Sequence, residues 1–432
     1  MQTTRENIRV NLFPRYQMYK KHKQKYHYIK MPFINKTYIC SQTRLCYMKF
    51  QFVRYTIWVL LLVSCHQTDS TDPTYPSKYE KTVIVYLAGD NNLSSEVDSK
   101  IEALSSGFRN VDGKTNKLIV FADYRNNNSQ LLEISNSGVI LLDTFENLNA
   151  ADPATLKKVI TRVYSTYPSE SYGIICFSHA SGWLPQGAFS DPSEYESTFR
   201  SKSLIMDNDQ EMSIEDFTEA VKLPDGSKYD FILFETCHMA GIEIAYSLRN
   251  IASRMIASSA EIVSPGFLDT YKNNLDKLFS PDADVCCFAS SFFDHWNSQS
   301  GARRSATVTV MNLENFQLLA SEVGRIIKQS KYLISQPENI QHFDRNLIHM
   351  FFDLREYLLA MTGGDQSKLT YFDTLMDDVV MYENATPYFM TGYPYSFKID
   401  KHSGITIYIM QPELESLNEA YQKTDFYKDN LN

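Results

Sequence analysis

Residues 81–87 read Lys-Thr-Val-Ile-Val-Tyr-Leu and run straight into Ala-Gly-Asp-Asn-Asn at 88–92. An unbroken apolar, β-branched run of this length suits a strand covered on both faces, and the Gly-Asp-Asn-Asn after it ends it in a loop. Working outward, the same texture recurs at 117–122 (KLIVFA, closing at Asp123), 172–178 (YGIICFS), 229–234 (YDFILF) and 254–258 (RMIAS), with a shorter run at 139–142. Helical patterns lie between them. Ser94 or Ser95 caps an amphipathic stretch to about Leu104, and Asp152-Pro153 opens one to about Tyr164. A third runs from Met239 to Asn250. Strand and helix alternate, so the expected class is α/β, with a largely parallel sheet covered by helices on both faces.

From Asp269 to about Asp378 helical signals dominate, apart from a strand at 306–311. Residues 388–399 and 404–410 read as a terminal hairpin or edge strands. The expected organisation is a core over 81–268 and a helix-rich C-terminal region over 269–432 that completes the fold.

Charge is unevenly spread over the 432 residues. Residues 1–47 hold ten Lys/Arg and one acid, Glu6, whereas the chain from Cys65 onward holds 30 basic and 50 acidic residues. A body so acidic excludes nucleic acid as a partner, because phosphate binding needs concentrated positive charge. It suits basic peptides.

Residues 48–65, MKFQFVRYTIWVLLLVSC, have the layout of an export signal. Lys49 and Arg54 give a positive start and Tyr55 to Val63 a short apolar stretch, well under the roughly 20 residues of a membrane-spanning helix. Leu62-Val63-Ser64-Cys65 resembles a bacterial lipobox, which implies lipidation of Cys65 and anchoring to a lipid bilayer, on the periplasmic face or the cell surface. Residues 48–64 are then the signal peptide and 65–80 a polar tether. Residues 1–47 read as an upstream extension starting at a wrong Met.

Two of the strand ends carry reactive side chains: Ser178-His179-Ala180-Ser181-Gly182-Trp183 and Glu235-Thr236-Cys237-His238-Met239. Ligands of a parallel sheet sit beyond the carboxyl ends of its strands, so neighbouring strands would bring His179 and Cys237 into one crevice. A helix starting near Met239 would point its N-terminus at the thiol, and helix and imidazole together would favour the thiolate. That arrangement suits acyl transfer, with backbone N–H groups holding the oxyanion. His238 is a competing base, disfavoured because adjacent residues leaving a strand diverge. The seven cysteines show no zinc-site spacing; Cys176 reads as core and Cys286–Cys287 as helix packing residues.

Six segments in order resemble the clostripain family, caspase-like cysteine peptidases: VIVYLAGDNNL (83–93), ADPATLKKVI (151–160), YGIICFSHASGW (172–183), FILFETCHMAGIEIAYSLR (231–249), IASSAEIVSPGF (256–267) and SGITIYI (403–409). The resemblance implies a caspase-like sheet, a Cys237–His179 dyad and endopeptidase cleavage after Lys or Arg. It also implies that the acid two residues before the cysteine, here Glu235 rather than the family's Asp, lines the S1 pocket. Asp207 and Glu261 are further candidates for a pocket acid. Ala180 replaces the family's usual Gly beside the oxyanion site, where a methyl group narrows the approach to substrate. Self-cleavage is expected between the two catalytic residues, in 187–203, after Arg200 or Lys202. No cofactor is required on this reading. Calcium, used by some relatives, is left open, with Asp90, Asp123 and Asp207 as its scattered candidate ligands and no EF-hand loop among them. An inert binding lipoprotein and a transpeptidase or ligase are the rival readings.

Overall fold

The computed structural model describes residues 78–432 other than 126, 147, 191, 193–203, 208–209, 281 and 333–336. The signal peptide, Cys65, nearly all of the tether, Arg200 and Lys202 therefore lie outside the described residues.

In chain order the first half contains β1 (Tyr79–Gly89), α1 (Ser94–Phe108), β2 (Asn116–Tyr124), β3 (Ser129–Ser135), β4 (Gly138–Phe145), α2 (Pro153–Thr166) and β5 (Ser169–Phe177). A small hairpin, β6 (Ile205–Asp207) and β7 (Gln210–Met212), precedes α3 (Ile214–Ala220), β8 (Tyr229–Glu235), α4 (Ile242–Leu248) and β9 (Ala252–Ala257). Then come α5 (Leu268–Asn274), α6 (Val285–Asn297), β10 (Thr307–Asn312), α7 (Phe316–Gln329), β11 (Phe352–Asp353), α8 (Leu354–Met361), α9 (Thr370–Val379) and β12 (Val380–Ala385). The chain ends with β13 (Tyr388–Phe389), β14 (Phe397–Lys398), β15 (Thr406–Ile407), α10 (Glu415–Tyr421) and α11 (Asp425–Asn430).

Nine strands form one sheet in the order β12-β10-β9-β8-β5-β1-β2-β3-β4. The five central strands are parallel, and an antiparallel pair extends each side. β1 explains the layering. Val83, Val85 and Leu87 project into one apolar core with α1, α5 and α6, while Ile84, Tyr86 and Ala88 project into the other with α2, α3, α4 and α7. A strand flanked by two cores needs apolar side chains at both parities, which is why its sequence does not alternate.

Local chemistry starts and stops the helices. Asp152 caps α2 by accepting from Ala154 N, with Pro153 next, and Ser213 caps α3 by accepting from Asp216 N. α1 runs four residues past its expected end, since Gly107 lets it lie against α5. A Cβ there would meet the Tyr271 carbonyl oxygen at 2.0 Å.

Three readings need correction. The helix expected from Met239 begins at Ile242, because Ala240 N donates to Ser258 O and His238 N to Ala260 O, holding 238–240 in a turn. The short strand expected at 139–142 extends over 138–145 as β4, the outer strand of a hairpin whose other arm is β3, SQLLEIS. The terminal strands stay off the main sheet: β13 pairs with β14 and β15 with β11, while β12 takes the edge position beside β10.

Candidate active site

β5 and β8 are adjacent and parallel, with Phe177 opposite Glu235 at their last rung. His179 and Cys237 each lie two residues beyond that rung. Both line a cavity of about 560 Å³ and a smaller one of about 350 Å³ beside it. The site sits where the strand order reverses, since β1 is flanked on one side by β2 and on the other by β5.

His179 is held from β1. Its Nε2 hydrogen-bonds Asn92 Oδ1, in the loop that leaves that strand. With an amide oxygen as acceptor, Nε2 carries the proton and Nδ1 presents its lone pair. Burial holds the imidazole below its ordinary value of 6.5, opposed by the Glu96 carboxylate. The Cys237 Sγ accepts from Ile262 N at 3.4 Å. Enclosure by the cavity walls pushes the thiol up to about 12, against that hydrogen bond and aided by Glu261. Both shifts favour the uncharged form of their group. This corrects the expectation of a helix-stabilised thiolate: α4 is only seven residues long and starts five residues beyond the sulfur. Among the described residues no hydrogen bond joins Cys237 to His179.

His238, the competing base, is walled in by its neighbours. It is fully buried in the left-handed region (φ 59°), stacked on Phe351 at 4.4 Å, with its Nδ1 on Ser259 O. The adjoining turn is tight: a Cβ on Gly182 (φ 64°) would meet the His238 carbonyl oxygen at 2.8 Å. Ala180 lines the larger cavity.

The pocket acids separate. Glu235, expected in the S1 pocket, is 3% exposed and already committed. It accepts from Lys100 Nζ at 2.7 Å, Phe267 N at 2.7 Å and Tyr271 Oη at 2.8 Å. The extra methylene of Glu is accommodated beside Gly266, where any Cβ would come within 2.1 Å of its oxygen. Lys100 comes from α1, and its ammonium also lies over the Phe177 ring, 4.3 Å from the centroid. Glu235 still lines the smaller cavity, whereas Asp207 lines neither. It is buried on β6, accepting from Ala150 N, and faces Asp123, whose carboxyl burial raises to about 7. Among the described residues Asp90, Asp123 and Asp207 form no three-ligand cluster. Glu261 does line both cavities beside Cys237, paired with Arg345 at 2.6 Å. Sequence reasoning missed Lys100 and Arg345, which come from distant segments, and Asn92, although its position at the end of β1 on the switch point could have flagged it.

A model of the clostripain family matches residues 85–424. An inactive zymogen C11 protease from Parabacteroides distasonis is 27% identical over 83% of this chain and 99% of its own, with a TM-score of 0.70. A secreted C11 cysteine protease from Bacteroides thetaiotaomicron, solved with an irreversible peptide inhibitor, is 25% identical over 81% of this chain and 98% of its own, with a TM-score of 0.68. A search of curated proteins returned no match.

The Lys100–Glu235 pair yields a prediction. Replacing Lys100 with Met leaves a buried carboxylate without its cation, which costs about 3–5 kcal/mol. Urea denaturation should show that loss in the midpoint, whereas an unchanged midpoint would mean that the backbone and phenol donors suffice. With its fold, its strand-end cysteine and its matched length taken together, the chain belongs to the clostripain family and is a cysteine-type endopeptidase.

Proposed function

We propose that Cys237 is the nucleophile and His179 the base of a peptide-bond hydrolase that cleaves after Lys or Arg. The observation that carries the dyad is the shared rung of β5 and β8, with both side chains two residues beyond it and lining the same two cavities. His179 Nδ1 takes the thiol proton as sulfur attacks the scissile carbonyl carbon, so no standing thiolate is needed. The N–H groups of Ala180 and Cys237, which donate to no acceptor among the described residues, are the candidates to hold the oxyanion. The imidazolium returns the proton to the departing amine, and water activated by the same ring hydrolyses the thioester. No step draws on a cofactor.

Glu261 is the acid offered to a basic P1 side chain. It lies at the thiol, and a substrate Lys or Arg would exchange with Arg345 for its carboxylate. Export rests on the sequence and on the secreted Bacteroides relative, and lipid anchoring through Cys65 on the sequence alone. Self-processing after Arg200 or Lys202 rests on two basic residues in the polar interval between the catalytic pair.

A covalent peptide probe with Lys or Arg at P1 should label the wild type and not Cys237→Ala. Labelling of both, or of neither, would sink the dyad, and equal labelling by probes with acidic or apolar P1 residues would remove the basic preference. Because burial lowers the His179 pKa, the ring stays neutral as pH falls through 6.5. The acid limb of kcat/KM should therefore have its midpoint below 6.5; a midpoint above it would contradict the buried imidazole. On self-processing, purified wild type should resolve into two fragments that Cys237→Ala does not form. A single intact band alongside peptide turnover would eliminate that step.

A further inference from the structure

Three carboxylates line the smaller cavity beside Cys237 and His179: Glu96, Glu235 and Glu261. Two cations, Lys100 and Arg345, line it with them. With His179 counted neutral, as its burial favours, the lining side chains carry a formal excess of one negative charge. That excess is not shared evenly. Glu235 is sealed, its oxygens taken by Lys100 Nζ, Phe267 N and Tyr271 Oη. Glu261 is gripped at both oxygens by the Arg345 guanidinium, at 2.6 and 3.2 Å. Among the described residues Glu96 has no cation within hydrogen-bonding distance. Its Oε1 accepts from the Ser264 hydroxyl at 2.6 Å. Its Oε2 stands 3.7 Å from Lys100 Nζ, whose hydrogen bonds go to Glu235 and to the Pro265 carbonyl instead.

Glu96 lies in the first turn of α1, just after the loop whose Asn92 holds His179. Its side chain is 18% exposed. It is open enough to be reached from the cavity, and enclosed enough that a cation brought to it gains more than at a free surface. Its charge is felt at the reacting centre, where it opposes the burial that lowers the His179 pKa. A bonded hydroxyl leaves the charge of a carboxylate in place, whereas a salt-bridged cation cancels it. A substrate cation reaching Glu261 must displace Arg345, and one reaching Glu235 must displace a lysine with no exposure at all. Glu96 asks for neither. It and Lys100 are four residues apart on one face of α1, so the helix that closes off Glu235 also brings a fresh acid to the cavity.

We propose that Glu96 is a specificity-determining residue of the peptidase, pairing with the ammonium or guanidinium of a P1 Lys or Arg. The inference rests on the reading above that P1 is basic, and it adds a second acid to Glu261. The substrate cation would take Oε2 while Ser264 keeps Oε1, so no internal hydrogen bond breaks on binding.

The test compares two peptides that differ at P1 alone, one with arginine and one with citrulline, which keeps the shape of arginine without its charge. kcat/KM is measured for both with the full chain and with Glu96→Gln, whose amide oxygen can still accept from Ser264. Wild type should favour arginine. The substitution should cut the arginine-to-citrulline ratio by about tenfold or more, the worth of one hydrogen bond to a charged group. Glu96→Asp, which restores the charge, should recover part of the ratio. Any effect routed through His179 falls on both peptides and cancels. A wild-type preference for arginine that Glu96→Gln leaves unchanged overturns the role of Glu96 while the basic-P1 reading stands. A wild type without that preference, or one that cleaves neither peptide, fails the basic-P1 reading and this inference with it. Circular dichroism shows whether Glu96→Gln has folded; if it has not, Glu96→Ala is read by the same ratio.

Discussion

One rung of a parallel sheet holds the site together. Phe177 lies opposite Glu235, and both reactive side chains hang from the loops that leave the sheet at those two residues. Parallel strands carry evenly spaced hydrogen bonds, so residues equally far beyond a shared rung leave the sheet side by side. A one-residue slip of β8 against β5 would turn every side chain of YDFILF to the opposite core. The two cores that grip β8, with Phe231 and Leu233 in one and Ile232 and Phe234 in the other, make that slip prohibitive. Placement of a sulfur atom is thereby enforced by hydrophobic packing several residues away.

Charge is managed by the same economy. The crevice contains Glu96, Glu235, Glu261, Lys100 and Arg345, yet Glu235 is closed off by Lys100 and Glu261 is met by Arg345. The first pair is sealed from water and knits α1, β8 and the start of α5 into one unit. The second is partly open, and so remains able to exchange partners. Both are carboxylate–cation contacts, but burial seals one and leaves the other partly open to solvent.

The fold was legible because buried parallel strands carry dense apolar runs: β1, β2, β5, β8 and β9 all sit where the sequence pattern put them, within a few residues. β3 and β4 were harder. β4 has Val139, Ile140 and Leu141 exposed on an edge, where side chains answer to a hairpin partner rather than to a core. The candidate dyad could be read from two strand ends. The fate of Glu235 could not, because it depends on Lys100, 135 residues earlier, and on a glycine at 266 that leaves room for the longer side chain. The start of α4 was hidden for a similar reason: Ala260 O and Ser258 O, in the loop after the next strand, accept from His238 N and Ala240 N and hold the chain in a turn, with His238 left-handed, until Ile242.

Holding the proton on Cys237 also protects the sulfur. Peroxides and disulfides react with thiolates, and a thiol held up to about 12 keeps almost none at neutral pH. Burial thereby shelters this sulfur from sulfenic acid formation and mixed-disulfide capture.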